Sequence, residues 1–178
     1  MGVRVRRSSV NVRRVIAAVD AAWFPAAGVA GADELVDRRM VYPDCFWLMI
    51  DDAADDAKAT AARAATVDGR LVAFINGFVT DSPDLSDDMY ADAAQHDPHG
   101  AWQMVFGVDT APEYRHCGYA SALMRRVIED ARQTGRAGLV LTCKDRLVGF
   151  YARLGYVDEG ISESTHGNVV WHQMRLRF

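Results

Sequence analysis

Cysteine and lysine are scarce in this chain of 178 residues. The three cysteines, Cys45, Cys117 and Cys143, are odd in number and lack Cys-x-x-Cys spacing. That excludes a disulfide framework or a zinc site as the organising element and fits a reducing, cytoplasmic setting. Lys58 and Lys144 are the only lysines, so 18 of the 20 basic residues are arginine, and the 24 acidic residues leave a net charge of -4. Such a balance offers no footprint for a phosphate backbone, so nucleic acid is not expected as a partner. No apolar run approaches the roughly 18 to 20 residues of a membrane span, so no membrane partner is expected either. Arg4, Arg6 and Arg7 ahead of an alanine-rich stretch imitate a signal peptide, but Arg13, Arg14 and Asp20 interrupt the apolar core that a leader needs.

Half of the residues are hydrophobic and a quarter charged, which predicts one globular domain over 1–178 with a full-sized core. Val3 and Val5 alternate with arginines as in a short strand. Ser8 or Ser9 can cap a helix that runs to Trp23 and stops at Pro25, and a second helix is predicted over 33–40. A strand follows over 45–50. Residues 51–66, rich in Asp and then Ala, read as an inserted, solvated segment; Asp51, Asp52, Asp55 and Asp56 lack the Gly and terminal Glu of a calcium loop. Asp68-Gly69 signals a hairpin leading into a strand over 71–79. The polar stretch 80–100 is predicted to be a long loop with one helical turn, and loops of that length tend to carry function.

Downstream, strands are predicted over 102–109 and 139–143, with a helix over 119–133 between them. The apolar face of that helix is Ala120, Leu123, Met124, Val127, Ile128 and Ala131, and Gly135 is its expected left-handed stop. A short helix over 146–154 is expected between an Asp145 cap and Gly155, and strands over 156–159 and 169–176 close the chain. The predicted class is α/β (α+β): a mixed, mostly antiparallel sheet with a central splayed pair of parallel strands and helices on both faces.

Between the first parallel strand and its helix lies Arg115-His116-Cys117-Gly118-Tyr119-Ala120. A strand-to-helix turn of this kind brings several backbone N–H groups and the positive end of a helix dipole to one place, which suits an anion. Gly118 would let backbone approach a phosphate. Taken alone, the same residues also describe an ordinary turn.

The run Val108-Asp109-Thr110-Ala111-Pro112-Glu113-Tyr114-Arg115-His116-Cys117-Gly118-Tyr119-Ala120-Ser121-Ala122-Leu123-Met124 resembles the acetyl-CoA motif of GCN5-related N-acetyltransferases (GNAT), with its (Arg/Gln)-x-x-Gly-x-(Gly/Ala) core. Phe150-Tyr151-Ala152-Arg153-Leu154-Gly155-Tyr156 resembles the superfamily's second signature, Phe-Tyr-x-x-x-Gly-(Phe/Tyr). The similarity runs from about residue 3 to 178, with 51–66 as the clearest departure. Residues 70–77, 143–148 and 167–174 look most like the serotonin (arylalkylamine) N-acetyltransferase branch.

The resemblance implies acetyl-CoA as cosubstrate and no metal. Pantetheine would bond along Val108, Asp109 and Thr110 like an added strand. The pyrophosphate would rest on the N–H groups of His116, Cys117, Gly118, Tyr119 and Ala120, with Ser121 as a further donor and Arg115 as a charge. Acetyl transfer to an amine needs a polarised carbonyl, a deprotonated amine and a proton for the departing thiolate. The resemblance places Tyr151 as the acid, since a phenol is ordinarily protonated at neutral pH; on residues alone, Tyr151 is a packed aromatic on a short helix.

The branch's two strand histidines align with Met104 and Phe106, which cannot accept a proton. The remaining acceptors are a water chain ending at Asp109 or Asp145, or His166 in the Ser164-Thr165-His166-Gly167 turn. For the amine, the resemblance implies Thr142, Phe24, Pro25, Phe106 and His166, with Trp23, Phe46 and Trp47 nearby. His96 and His99 have an H-x-x-H spacing, but Pro98 and the lack of a third ligand speak against a metal.

The expected activity is acetyl transfer to a primary amine of a small molecule, arylalkylamine- or polyamine-like, by direct attack in a ternary complex. The alternatives are acetylation of a protein amino group or an aminoglycoside, and a non-catalytic acyl-CoA-binding module. The expected partner is the small amine, with a homodimer left open.

Overall fold

The computed structural model describes residues 3–7, 42–51 and 70–178. The helices expected before residue 41, the 51–66 insertion beyond Asp51, the Asp68-Gly69 hairpin, and Trp23, Phe24 and Pro25 lie outside the described residues.

Among the described residues, seven strands make one mixed sheet: β1 (Val3–Arg7), β2 (Phe46–Asp51), β3 (Arg70–Thr80), β4 (Trp102–Thr110), β5 (Gly138–Cys143), β6 (Val157–Ile161) and β7 (His172–Arg177), in the order β1-β2-β3-β4-β5-β7-β6. The continuous apolar runs of β2 and β3 follow from burial on both faces: every residue from Phe46 to Ile50 and from Leu71 to Thr80 is buried. Phe46 and Trp47 are thus core residues. β4 and β5 are parallel, joined by α1 (Tyr119–Gln133). A second helix, α2 (Asp145–Ala152), follows β5.

The chain divides into two compact units, Met1–Ile75 with Val108–Leu123, and Asn76–Gly107 with Met124–Phe178. In the first, β1 pairs antiparallel with β2 from Val3↔Asp51 to Arg7↔Trp47. In the second, the strands come unusually close at glycines. A Cβ on Gly77 would stand 1.9 Å from the Met104 carbonyl oxygen, and one on Gly138 2.0 Å from that of Leu176. These two positions admit only hydrogen.

Leu123, Met124, Val127, Ile128 and Ala131 form the buried face of α1, as the periodicity predicts, while Ala120 is half-buried. α1 and α2 end alike. The Gly135 amide bonds the Arg132 carbonyl and the Arg136 amide reaches Ala131; Gly155 bonds Ala152 and Tyr156 reaches Tyr151. With φ of 75° and 96°, the two glycines are left-handed caps of Schellman type. The start of α2 differs from expectation. Lys144 is its N-cap residue, without a side-chain capping bond, and Asp145 is the first helical residue. An acid there still suits the positive end of the helix dipole.

The 80–100 segment is ordered by polar contacts and carries two short 3-10 turns, Asp87–Tyr90 and Ala93–Gln95. Arg175, only 4% exposed, ties it to β7: its guanidinium donates to Glu159 at 2.7 Å, to Asp84 at 2.6 Å and to the Pro83 carbonyl, and lies over the Trp102 ring. A buried guanidinium satisfied in this way meets the requirement that buried charge be paired. Arg136 bonds the carbonyls of Gly100 and Pro98 at 2.7 and 2.8 Å, and the Nδ1 of His96 accepts the Val79 amide at 3.1 Å. His96 therefore has a structural bond at that nitrogen, and burial shifts its imidazole toward the neutral form.

Candidate active site

In the first unit, β4 ends at Thr110 and the chain enters the turn singled out by sequence. Ala111 is buried and its amide donates to the Val72 carbonyl at 2.9 Å, tying the turn to β3. Arg70, at the start of β3, pairs with Glu113 and lies over the Tyr114 ring at 5.4 Å; the Tyr114 hydroxyl donates to Asp51 at 3.4 Å. Desolvation raises the pKa of this phenol, so it stays protonated and able to donate. Arg115 folds back, its Nε donating to the Thr110 carbonyl at 3.2 Å, so part of its guanidinium holds the turn itself.

Two residues of the turn have left-handed backbone, His116 at φ 62° and Gly118 at φ 83°. His116 adopts a conformation uncommon for a side chain with a Cβ. A Cβ at Gly118 would meet nothing within 4 Å, so the glycine is required by its dihedral angle and not by crowding from the protein. His116, Cys117 and Gly118 are exposed, and Tyr119, Ala120 and Ser121 half-buried. The first α1 hydrogen bond runs from Ala122 to Gly118. The earliest amides of a helix have no partner within it. Left-handed residues interleaved with others, leading into a helix N-terminus, are the backbone pattern from which anion-binding nests are built.

In the second unit, the parallel ladder runs from Trp102↔Gly138 to Val105↔Leu141 and ends there, although both strands continue. β4 is buried through Val105 and half-exposed from Phe106 to Thr110. The expected splay of the parallel pair therefore begins after Val105. Of the two positions aligned with histidines, Met104 is fully buried core and Phe106 is half-exposed.

Phe106 belongs to a row of rings. It lies 4.9 Å from Phe78 and 4.7 Å from Tyr90, and Tyr90 in turn stacks on His166 at 6.0 Å and 13°. The structure thus brings together Phe106 and His166, two residues named from sequence, through Tyr90, which sequence reasoning missed. The available signal was the polar 80–100 loop holding one large aromatic. His166 sits in the β6–β7 turn, where the Trp171 Nε1 donates to its carbonyl at 2.8 Å. Thr142 is half-buried on β5 opposite Gln173, whose amide donates to Asp84 and Glu159 at 2.8 and 3.0 Å.

Tyr151 lies in the last turn of α2, 6% exposed, with edge-on contacts to Phe150 at 4.9 Å and Tyr156 at 5.8 Å. Tyr156 is buried and bonds the Met124 sulfur at 3.5 Å; burial, with the neighbouring Tyr151, raises its phenol pKa far above the ordinary value. Of the other acceptors considered, Asp109 is half-exposed at the end of β4, and Asp145 is 91% exposed, 3.7 Å from the His172 Nε2. Burial, and then the charges of Asp158 and Asp145, push the Cys143 thiol up to about 11, so this cysteine is a poor nucleophile. Among the described residues, no group of three or more His, Cys, Asp or Glu is placed to hold a metal.

Comparison with known proteins fits this geometry. Residues 29–156 match the model of the acetyltransferase (GNAT) family. A 56-residue segment is 34% identical to GCN5-related N-acetyltransferase 1, chloroplastic, of Arabidopsis thaliana, spanning 32% of this chain and 28% of that relative. The loading GNATL domain of CurA from Lyngbya majuscula superposes with a TM-score of 0.76 at 12% identity, covering 99% of this chain and 98% of that one. PaiA N-acetyltransferase from Thermoplasma acidophilum, solved with coenzyme A, gives 0.62 at 13% identity with full coverage, 100% of both chains. At such identities the superpositions speak to the fold, and the family model speaks to membership. The chain belongs to the acetyltransferase (GNAT) family.

Proposed function

We propose that this protein transfers acetyl from acetyl-CoA to the primary amine of a small molecule that carries an aromatic or otherwise apolar body. The observation that carries the reading is the backbone of the turn after Thr110, in which left-handed His116 and Gly118 lead into the N-terminus of α1. Val108, Asp109 and Thr110, half-exposed at the end of β4, would then offer strand backbone to an extended pantetheine, and the turn would offer amides to a pyrophosphate. Arg115 contributes less as a free charge than as a brace, given its bond to Thr110.

The bound cosubstrate supplies a thioester carbonyl as electrophile. An amide near Val108 would polarise that carbonyl while the amine nitrogen attacks its carbon. The carbon–sulfur bond breaks, the electron pair leaves on sulfur, and the Tyr151 phenol protonates the thiolate. We assign His166 to receive the proton lost by the amine, because it shares the Phe106–Tyr90 row while Asp145 is turned out to solvent beside His172. The same rings would hold the body of the substrate, with Thr142 as a polar contact. An arylalkylamine fits the row best, and a polyamine would use the acidic surroundings in encounter.

The reading is tested by following thiol release from acetyl-CoA with arylalkylamines, polyamines, aminoglycosides and N-terminal peptides side by side. Turnover highest with an arylalkylamine supports it, and turnover confined to peptides or aminoglycosides replaces the substrate class. Acetyl-CoA binding without acetylation of any acceptor would indicate an acyl-CoA-binding module.

A further inference from the structure

The carboxylate of Asp87 is the hub between the long loop and the β6–β7 turn. It accepts the Ser164 hydroxyl at 2.5 Å, the Thr165 amide at 3.0 Å and the Thr165 hydroxyl at 3.4 Å. Asp87 and Tyr90 are the first and last residues of one 3-10 turn, Asp87–Tyr90. In a 3-10 helix residues three apart eclipse one another, so both side chains leave the turn on one side. One grips Ser164 and Thr165, and the other stacks on the next residue, His166. The Ser164 hydroxyl also accepts the His166 amide at 3.4 Å, so the Asp87 bond and the position of His166 share an atom group. The backbone of the turn is also held by the Trp171 indole on the His166 carbonyl at 2.8 Å and by the Asn168 amide on the Thr165 carbonyl at 3.1 Å, while residues His166 to Val170 are exposed and Gly167 and Asn168 have positive φ.

We propose that Asp87 is a positioning residue for the amine acceptor, a clasp that holds the Ser164–His166 turn against the 80–100 loop and so sets the Tyr90–His166 stack that meets the substrate. This rests on the reading of the Phe106–Tyr90–His166 row as the acceptor wall. Asp87 touches neither acetyl-CoA nor the reacting atoms in this account. Its loss therefore weakens use of the amine and leaves the cosubstrate alone. A carboxylate suits the role because it accepts several bonds at once and donates none.

The test compares wild type, Asp87→Asn, Ser164→Ala and the double variant on the best amine of the panel. Asp87→Asn should raise KM for the amine about tenfold, a size expected for lost hydrogen bonds to a charged group, with acetyl-CoA affinity by calorimetry unchanged. Ser164→Ala should act in the same direction, and the double variant should be less impaired than the two single effects multiplied, because both remove one interaction. Ser164→Ala also carries the test should Asp87→Asn fail to fold. An unchanged KM for the amine in folded Asp87→Asn, or fully multiplicative effects, would overturn the clasp while leaving the acetyltransferase reading intact. A wild type that acetylates no amine would overturn that reading and the clasp with it.

Discussion

Gly118 separates what the turn needs for its own conformation from what it does for a ligand. Its φ of 83° lies in the left-handed region, and an added Cβ would find nothing within 4 Å. Substitution by alanine therefore costs the strain of a left-handed L-residue, about 1 to 2 kcal/mol, without any crowding penalty from the protein. Asparagine tolerates this conformation, so Gly118→Asn should fold with a loss of well under about 1 kcal/mol. What it adds is a side chain on the open side of the turn. If a pyrophosphate lies there, the new atoms meet it, and an overpacking cost of about 1 to 3 kcal/mol lowers acetyl-CoA affinity roughly 5- to 150-fold. Denaturant unfolding should show Gly118→Ala the less stable, while calorimetry should show Gly118→Asn binding acetyl-CoA far more weakly than wild type. Near-native stability with unchanged acetyl-CoA affinity in Gly118→Asn would refute the placement of the phosphate.

Tyr151→Phe removes one hydroxyl and keeps the ring contacts to Phe150 and Tyr156; single-turnover acetylation should slow by at least about 10²-fold, the usual size of general acid catalysis, with acetyl-CoA affinity unchanged. Gly77→Ala forces a methyl group against the Met104 carbonyl, 1.9 Å away, and should cost about 3 kcal/mol or more of stability in urea unfolding, because backbone on both sides must shift. The Ser164 hydrogen bond is the main cause holding the Asp87 carboxyl below the usual carboxylate value, with Thr165 and the His166 charge assisting. A carboxyl lowered on folding stabilises above its ordinary pKa and loses that contribution as pH falls through the folded value. Amide exchange at Thr165, corrected for intrinsic rate, should therefore accelerate below about pH 4, the ordinary aspartate range, in wild type, and should be fast at all pH in Asp87→Asn.

The motif-bearing half of the chain was legible because its signals are local. The apolar period and Gly135 gave α1 its observed bounds, Tyr119–Gln133. Asp145 misled at the start of α2 because an acid reads equally well as a cap or as a first-turn residue, and only backbone angles distinguish the two. The last strands were harder. β6 is exposed nearly throughout and its register shifts between Asp158 and Ile161, so no alternation marks it. Val169 and Val170 look like strand but are exposed ahead of β7, which starts at His172, because the turn expected over 164–167 extends through Asn168, where positive φ continues from Gly167. Phe106 and His166 were each named as acceptor-side residues, but their common neighbour Tyr90 was not. Its role depends on a polar loop folding back, which no periodicity encodes.

The central claim is direct transfer of an acetyl group to an amine nitrogen. The measurement that tests it most directly is mass spectrometry of the products after incubation with acetyl-CoA labelled in its acetyl group, with an arylalkylamine as acceptor. The account predicts a labelled amide on the amine nitrogen and one free CoA thiol per amide, with both suppressed in Tyr151→Phe at early times. Thiol release without a labelled amide, or a label found on the protein instead of the amine, would contradict it.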